Sequence, residues 1–313
     1  MKPLNLLKTV GVPFWPVLLL LLMSACVKDD LSECGVTIRY QYTRNIEGVD
    51  KFISEIKKIN LFVFDSNGLF LTEYTANEKE LNNGQAMHLN IPPGTYDLVC
   101  WGNLGDDYQL PAFERGKTSV KEVMLSLKRT KNTVVNPPQS LFFGSLSQIQ
   151  ILPDIRRKQI LTIDMIKDTK KIRIITKQLP PQEIAGNQFD CRIISVNGDY
   201  KFDNSIAGNE SLWYVPQTSV NEEKQLLFDF VTMRELKDGS TRSKLIFTYR
   251  PIGKEEEELF SADLTEILLS VSKTKDLDIE DYFEIEMSLD YTNGSTTIQI
   301  KGWETIDTGY VIG

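Results

Sequence analysis

From Gly35 onward the chain sets apolar against polar residues in short runs separated by turn residues, the period-two pattern of half-buried β-strands. Val36, Ile38, Tyr40 and Tyr42 fall on one face of the first run and Thr37, Arg39 and Gln41 on the other. Ile59 to Phe64 is apolar almost throughout. It runs into Asp65-Ser66-Asn67-Gly68, whose Asn-Gly suits the positive φ angles of a tight hairpin, and Leu69 to Tyr74 reads as the returning strand. Asn197-Gly198, Asp238-Gly239 and Asn293-Gly294 repeat the device between strand-like flanks, so antiparallel sheets are expected. In Ile91-Pro92-Pro93-Gly94-Thr95-Tyr96 two prolines and a glycine fix a turn, and the strand leaving it sets Tyr96, Leu98 and Cys100 against Asp97, Val99 and Trp101. Val120 to Leu127 and Leu141 to Ile151 continue the pattern.

Near Leu152-Pro153-Asp154 the alternation breaks and a basic triplet, Arg156-Arg157-Lys158, follows. The expected division is therefore an N-terminal β-sandwich over 35–155 and a C-terminal one over 156–313. Ile160 to Asp164 and Lys171 to Thr176 would open the second, continued by Cys191 to Val196, Leu226 to Val231, Leu245 to Arg250, Phe283 to Leu289 and Thr296 to Lys301. Leu264, Ile267, Leu268 and Val271 recur at helical spacing and predict one helix. Asp50 to Lys58 fits a short helix or a strand lead-in. The Glu255 to Glu258 run reads as a solvated loop, since four adjacent carboxylates cannot converge on one ion. The fold class is all-β with a minor helix: two tandem antiparallel β-sandwiches.

The first 25 residues follow a different rule. Lys2 and Lys8, an apolar run from Leu18 and the small Ser24-Ala25 before Cys26 make a secretory signal over 1–25, whose cleavage leaves Cys26 as a lipidated first residue on a tether over 26–34. What remains is 288 residues, room for two domains of ordinary size. It carries 33 Lys and Arg against 43 Asp and Glu, a net charge of −10 that repels phosphate backbones and excludes nucleic acid as a partner. No later apolar run is long enough to cross a bilayer, so attachment to the membrane rests on the lipid at Cys26. Export permits disulfides. Cys34 with Cys100 is the candidate pair, Cys191 being left over, and buried free thiols are the alternative of equal weight.

Candidate chemistry is sparse. His88 is the one histidine, no Gly-x-Ser-x-Gly elbow presents a nucleophile, and Cys-x-x-Cys spacing is missing, so no catalytic residue, metal or cofactor is expected. Gly116-Lys117-Thr118 imitates the end of a phosphate loop, but Pro111 stands where its first glycine belongs.

Cys26-Val27-Lys28-Asp29-Asp30-Leu31-Ser32-Glu33-Cys34, the Phe62-Val63-Phe64-Asp65 strand end, Pro93-Gly94-Thr95-Tyr96 leading to Trp101-Gly102-Asn103, and Ile300-Lys301-Gly302-Trp303 together resemble the FimB-type fimbrial anchor subunits of Bacteroidetes. The resemblance implies two transthyretin-like domains in an outer-membrane lipoprotein that holds a fimbrium and has fimbrial stalk subunits as partners. Lys28, Asp29 and Asp30 also resemble the acidic export tag that sends such lipoproteins to the cell surface. Fimbriae of this kind assemble by strand donation, and a stalk subunit loses its first strand to cleavage after a basic residue. Arg39 and Arg44 lie inside the expected first strand, which favours an anchor that keeps it. The tail residues Tyr310, Val311 and Ile312 are a candidate donor strand. Two other classes compete: a surface glycan binder stacking sugars on Trp101, Trp213 and Tyr214, and a peptidase or inhibitor of the cell surface.

Overall fold

The computed structural model describes residues 35–81, 84–153, 159–179, 184, 186, 188–290, 297–302 and 305–307. The first half comprises β1 (Val36–Gln41), α1 (Phe52–Glu55), β2 (Lys58–Asp65), β3 (Phe70–Asn77), α2 (Glu78–Leu81), β4 (Ala86–Leu89), β5 (Gly94–Gly102), β6 (Tyr108–Gln109), β7 (Met124–Leu127), β8 (Thr133–Val134), β9 (Phe142–Ile151), β10 (Gln159–Asp164) and β11 (Ile166–Lys167). After it come β12 (Thr169–Lys177), β13 (Phe189–Ser195), β14 (Asp199–Lys201), β15 (Leu212–Tyr214), β16 (Gln217–Val220), β17 (Leu226–Met233), β18 (Lys244–Tyr249), β19 (Glu257–Asp263), α3 (Leu264–Val271), β20 (Tyr282–Asp290), β21 (Thr297–Ile300) and β22 (Thr305–Asp307).

The first half is built around a five-stranded sheet, β11-β9-β5-β2-β3, with the three-stranded sheet β10-β1-β4 on one face. Leu61, Val63, Leu98 and Cys100 point to that layer and meet Val36, Ile38, Tyr40 and Tyr42 of the first strand. On the other face Phe62, Phe64, Val99 and Trp101 are covered by Phe113, Val120, Val123 and Leu125. A strand covered on both faces needs no polar side, which is why Ile59 to Phe64 reads as a continuous apolar run. Gly144 of β9 permits the close approach of the layers: a Cβ there would lie 2.4 Å from Ile163 Cγ2 and 2.7 Å from Met165 Sδ.

The second half packs the six-stranded sheet β16-β17-β12-β20-β21-β22 against the five-stranded β19-β18-β13-β15-β8. Here alternation is clean: β13 and β20 bury every second side chain. The helix expected from Leu264, Ile267 and Leu268 is α3; those three residues are fully buried, and Asp263 caps it by accepting from the Glu266 amide at 3.1 Å. Asp50 to Lys58 resolves into α1 followed by the start of β2.

The sequence-based division at 155/156 needs correction. β10, expected to open the second sandwich, runs parallel to β1 along its whole length, and β11 pairs with β9, so both belong to the first. The second sandwich begins at Thr169. The halves also exchange strands: β8 pairs with β15 of the second sheet, and β14 pairs with β7 of the first half. Among the described residues three pairings, β1–β10, β8–β15 and β12–β20, are parallel and the other ladders antiparallel. Two local readings also change. Val120 to Leu127 opens as a single 3₁₀ turn capped by Ser119 before β7, and Glu257 and Glu258 begin β19, while Glu256 is held by Arg192 and Arg250.

Candidate functional site

Three regions of the fold present chemistry suited to assembly: the seat of the first strand, the junction between the sandwiches, and the strand edges of the second.

β1 is held from both sides, by β10 in parallel and β4 in antiparallel register. Val36, Ile38, Tyr40 and Tyr42 have no exposed surface. Tyr40 stacks on Phe52 with centroids 5.8 Å apart, and Tyr42 meets the Phe142 ring edge-on at 5.1 Å. Arg39 lies in the ladder opposite Thr162 and Ala86 with an exposed side chain, and Arg44, beyond the strand, pairs with Asp278 at 3.7 Å. The first strand completes its own sandwich.

At the junction a single residue, Asp168, separates β11 from β12. Its buried carboxylate accepts from Asn204 Nδ2 at 2.8 Å and lies 3.8 Å from Arg234 Nε. Arg234 reaches Asp278 at 3.4 Å. Lys170, also buried, donates to the Asp278 carbonyl at 2.9 Å and forms an ion pair with Asp281 at 3.5 Å, too long for a good hydrogen bond. From the first half the Tyr42 hydroxyl donates to Asp281 at 2.7 Å, and Lys167 bridges Glu55 at 2.7 Å and Asp281 at 3.7 Å. Burial pushes the Asp168 carboxyl up to about 6 despite Arg234 and Asn204, lowers Lys170, and raises Tyr42 with help from Asp281. Nearby, Arg129 forks onto Asp199 of β14 at 3.3 and 3.1 Å. Beside that pair lies a cleft of about 630 Å³ whose walls, among them Asp107, Lys128, Thr133 and Asn136, carry no aromatic ring.

Among the described residues the second half has unpaired sheet edges. β16 is an edge strand with all four side chains exposed. β20, inside the same sheet, is paired with β21 only over Met287 to Asp290.

Several sequence-predicted residues lie outside the described residues: Cys26, Lys28, Asp29, Asp30, Cys34, Tyr310, Val311 and Ile312. Cys100 is a free, buried thiol, 3.6 Å from Met165 Sδ and raised by desolvation. The stacking platform for glycans is corrected: Trp101 is fully enclosed and Tyr214 nearly so, its hydroxyl donating to Asn197 at 2.8 Å, which leaves Trp213 alone partly accessible. His88 is an exposed strand residue beside Thr37. Lys117 pairs with Glu114 in an exposed turn, followed by a single 3₁₀ turn at Val120–Glu122 in place of the α-helix that cradles a phosphate. Among the described residues no group of three or more His, Cys, Asp or Glu could hold a metal ion. Sequence reasoning missed the junction cluster. Its trace is the run Lys167-Asp168-Thr169-Lys170-Lys171 set between apolar strand residues, a charge run that is ordinarily solvated.

Comparison with known proteins matches the family of fimbrillin-A associated anchor proteins Mfa1 and Mfa2 over residues 31–309. The minor fimbrium anchoring subunit Mfa2 of Porphyromonas gingivalis is 22% identical over 299 residues, 90% of each chain. The solved structure of the fimbrial anchor protein Mfa2 from that organism has a TM-score of 0.72 at 20% identity, covering 88% of this chain and 99% of the other. A candidate adhesin from Bacteroides ovatus superimposes with a TM-score of 0.76 at 23% identity over 88% of this chain and 95% of its own. A candidate polysaccharide-binding protein from Bacteroides thetaiotaomicron gives 0.72 at 21%, over 88% and 98%. These structural likenesses establish the shared β-sandwich fold.

Proposed function

The chain belongs to the family of fimbrillin-A associated anchor proteins, and we propose from that membership that it is an outer-membrane lipoprotein, displayed at the cell surface, which holds a fimbrium by joining its basal subunit through strand donation. The observation that carries this reading is the family match over residues 31–309, nearly the whole chain beyond the signal. Cys26 would bear the lipid, Lys28, Asp29 and Asp30 would direct export, and Tyr310, Val311 and Ile312 would pair with the fimbrial stalk subunit. The seat of β1 supports an anchor: a strand with its whole apolar face enclosed is retained, so the first sandwich does not depend on a strand from a neighbour. β22, just ahead of the tail in sequence, is the outermost strand of its sheet among the described residues, a suitable base from which to extend pairing. The role is structural, without catalysis or cofactor.

The test uses Cys26→Ala in cells fed a fatty acid analogue. The expected outcome is loss of label on the protein and release of fimbriae into the medium. Equal labelling of the variant and the parent would remove the lipid anchor, and fimbriae retained by cells lacking the protein altogether would remove the anchoring role.

A further inference from the structure

The six-stranded sheet contains an uncovered stretch. β12 pairs with β20 from Tyr282 to Ser288, whereas on the opposite side β21 begins its pairing only at Met287. The Lys301 amide donates to the Glu286 carbonyl at 3.1 Å, and Gly302, at φ +83°, turns the chain toward β22 on the far side of β21. Backbone groups alternate sides along a strand, so the side that receives the Glu286 carbonyl also receives the N–H and C=O of Glu284. Among the described residues no strand pairs with Tyr282 to Ile285 there. The place is a groove of about 540 Å³ between that edge and the end of α3, lined by Val271, Lys273, Phe283, Glu284, Lys301 and Gly302.

Exposed edges are ordinarily blunted by bulges, proline or very short strands. β19, the edge of the facing sheet, carries a register shift opposite Phe247 and Thr248. The open part of β20 has neither bulge nor proline, and its ladder with β12 is regular. Phe283 and Ile285 face the core beneath the groove, while Glu284 projects outward, its carboxylate accepting from the Tyr282 hydroxyl at 2.9 Å.

We propose that this groove accepts an extended segment of a partner chain, antiparallel to β20, with apolar side chains opposite Phe283 and Ile285 and a basic side chain opposite Glu284. The main chain of Glu284 supplies affinity, the apolar floor sets register, and the outward carboxylate selects a cation. The identity of the partner rests on the anchoring reading, under which it is the basal fimbrial subunit. The site then adds an acceptor to the donor tail.

The probe is a fluorescein-labelled synthetic peptide whose core, Val-Lys-Val-Thr, faces Ile285, Glu284, Phe283 and Tyr282 in that order, titrated against the purified chain by anisotropy. Glu284→Pro removes the N–H that faces the groove while leaving the core side chains in place. The expected result is saturable binding to the parent, weakened roughly tenfold or more in Glu284→Pro, as loss of about 1.4 kcal/mol requires, at an unchanged melting midpoint. Glu284→Lys should bind a peptide carrying Glu in place of Lys better than the original. No binding to the parent, or equal binding to the parent and Glu284→Pro, overturns the acceptor. Self-association of the parent that Glu284→Pro abolishes would make a second copy the occupant and overturn the partner proposed. In cells, fimbriae shed by the deletion strain but held by Glu284→Pro overturn the groove's part in attachment, whereas fimbriae held by the deletion strain overturn the anchoring reading instead.

Discussion

Up to Lys167 the described chain buries almost nothing polar, Asn45 and Asn60 excepted, whereas from Asp168 onward it buries Lys170, Arg234, Glu235, Glu280 and a series of Asn, Ser and Thr side chains. Both halves enclose aromatic rings, Tyr40, Phe52, Phe64 and Trp101 in the first and Tyr200, Tyr214, Phe228 and Phe247 in the second, so the contrast lies in the buried polar groups. Apolar burial is non-directional and close to indifferent to pH. Buried polar groups fix geometry through specific partners and lose stability when those partners ionise or leave. The first half is therefore expected to be the robust one, and the second, with its buried polar groups, the more conditional.

The comparison is tested most severely in the first strand. Tyr40→Ala removes a ring with no exposed surface that stacks on Phe52, and the cavity should cost about 4 kcal/mol. Urea unfolding at pH 5 and pH 8 should show the same loss at both, since nothing that titrates in that range is buried with it. A loss below about 1 kcal/mol would mean that β1 is replaceable and that the first half is not the robust one.

Much of this contrast was legible in the sequence, and the missing part has a physical cause. Continuous apolar character at Ile59 to Phe64 and alternation at Phe283 to Leu289 distinguish a doubly covered strand from a half-covered one. Asn67-Gly68 marks a real hairpin, with Gly68 at φ +74°. Leu264, Ile267 and Leu268 mark the helix. Partner choice was hidden: Gln159 to Asp164 looks like any strand, and its parallel pairing with β1 depends on residues more than a hundred positions away. Strands as short as β6, β8 and β14 carry too few residues to show a period. Lys170 and Asp168 were unreadable because charge next to charge ordinarily signals water. The tether and tail residues lie outside the described residues, so the lipid and donor sites stand on sequence alone.

The junction offers a second way to break the comparison. Asp281→Asn keeps the shape that receives the Tyr42 hydroxyl but withdraws the charge facing the buried Lys170, at a cost of about 2–3 kcal/mol, less than the roughly 3–5 kcal/mol of a fully buried pair because Asp281 is partly solvated. Since Asp281 also faces Lys167 of the first half, the variant should unfold in two separable steps, the second sandwich first. A uniform shift of one cooperative transition would mean that the shared apolar core, and not the charge cluster, couples the halves.

The smallest effect is the most diagnostic, because it changes sign with pH. Glu235 is buried at the end of the second sandwich, accepting from Asn197 at 3.0 Å and from Ser243 at 2.6 Å. Desolvation, reinforced by Asp263 and opposed by Ser243 and Thr241, pushes its carboxyl from 4.5 up to about 7. Between those values the folded chain holds a proton that the unfolded chain has released. Stability from this group is thus complete below about pH 4.5 and lost as pH rises through 7, a swing on the order of 3 kcal/mol. Asp168, raised to about 6, acts in the same direction. Glu235→Gln keeps an oxygen for Asn197 and offers an amide hydrogen to the Ser243 oxygen, so at pH 8 it should gain about 2 kcal/mol over the parent while matching or falling slightly below it at pH 4.5. Urea midpoints across that range read the difference directly. A variant that keeps the full pH slope of the parent would show that burying Glu235 is not what makes the second half conditional.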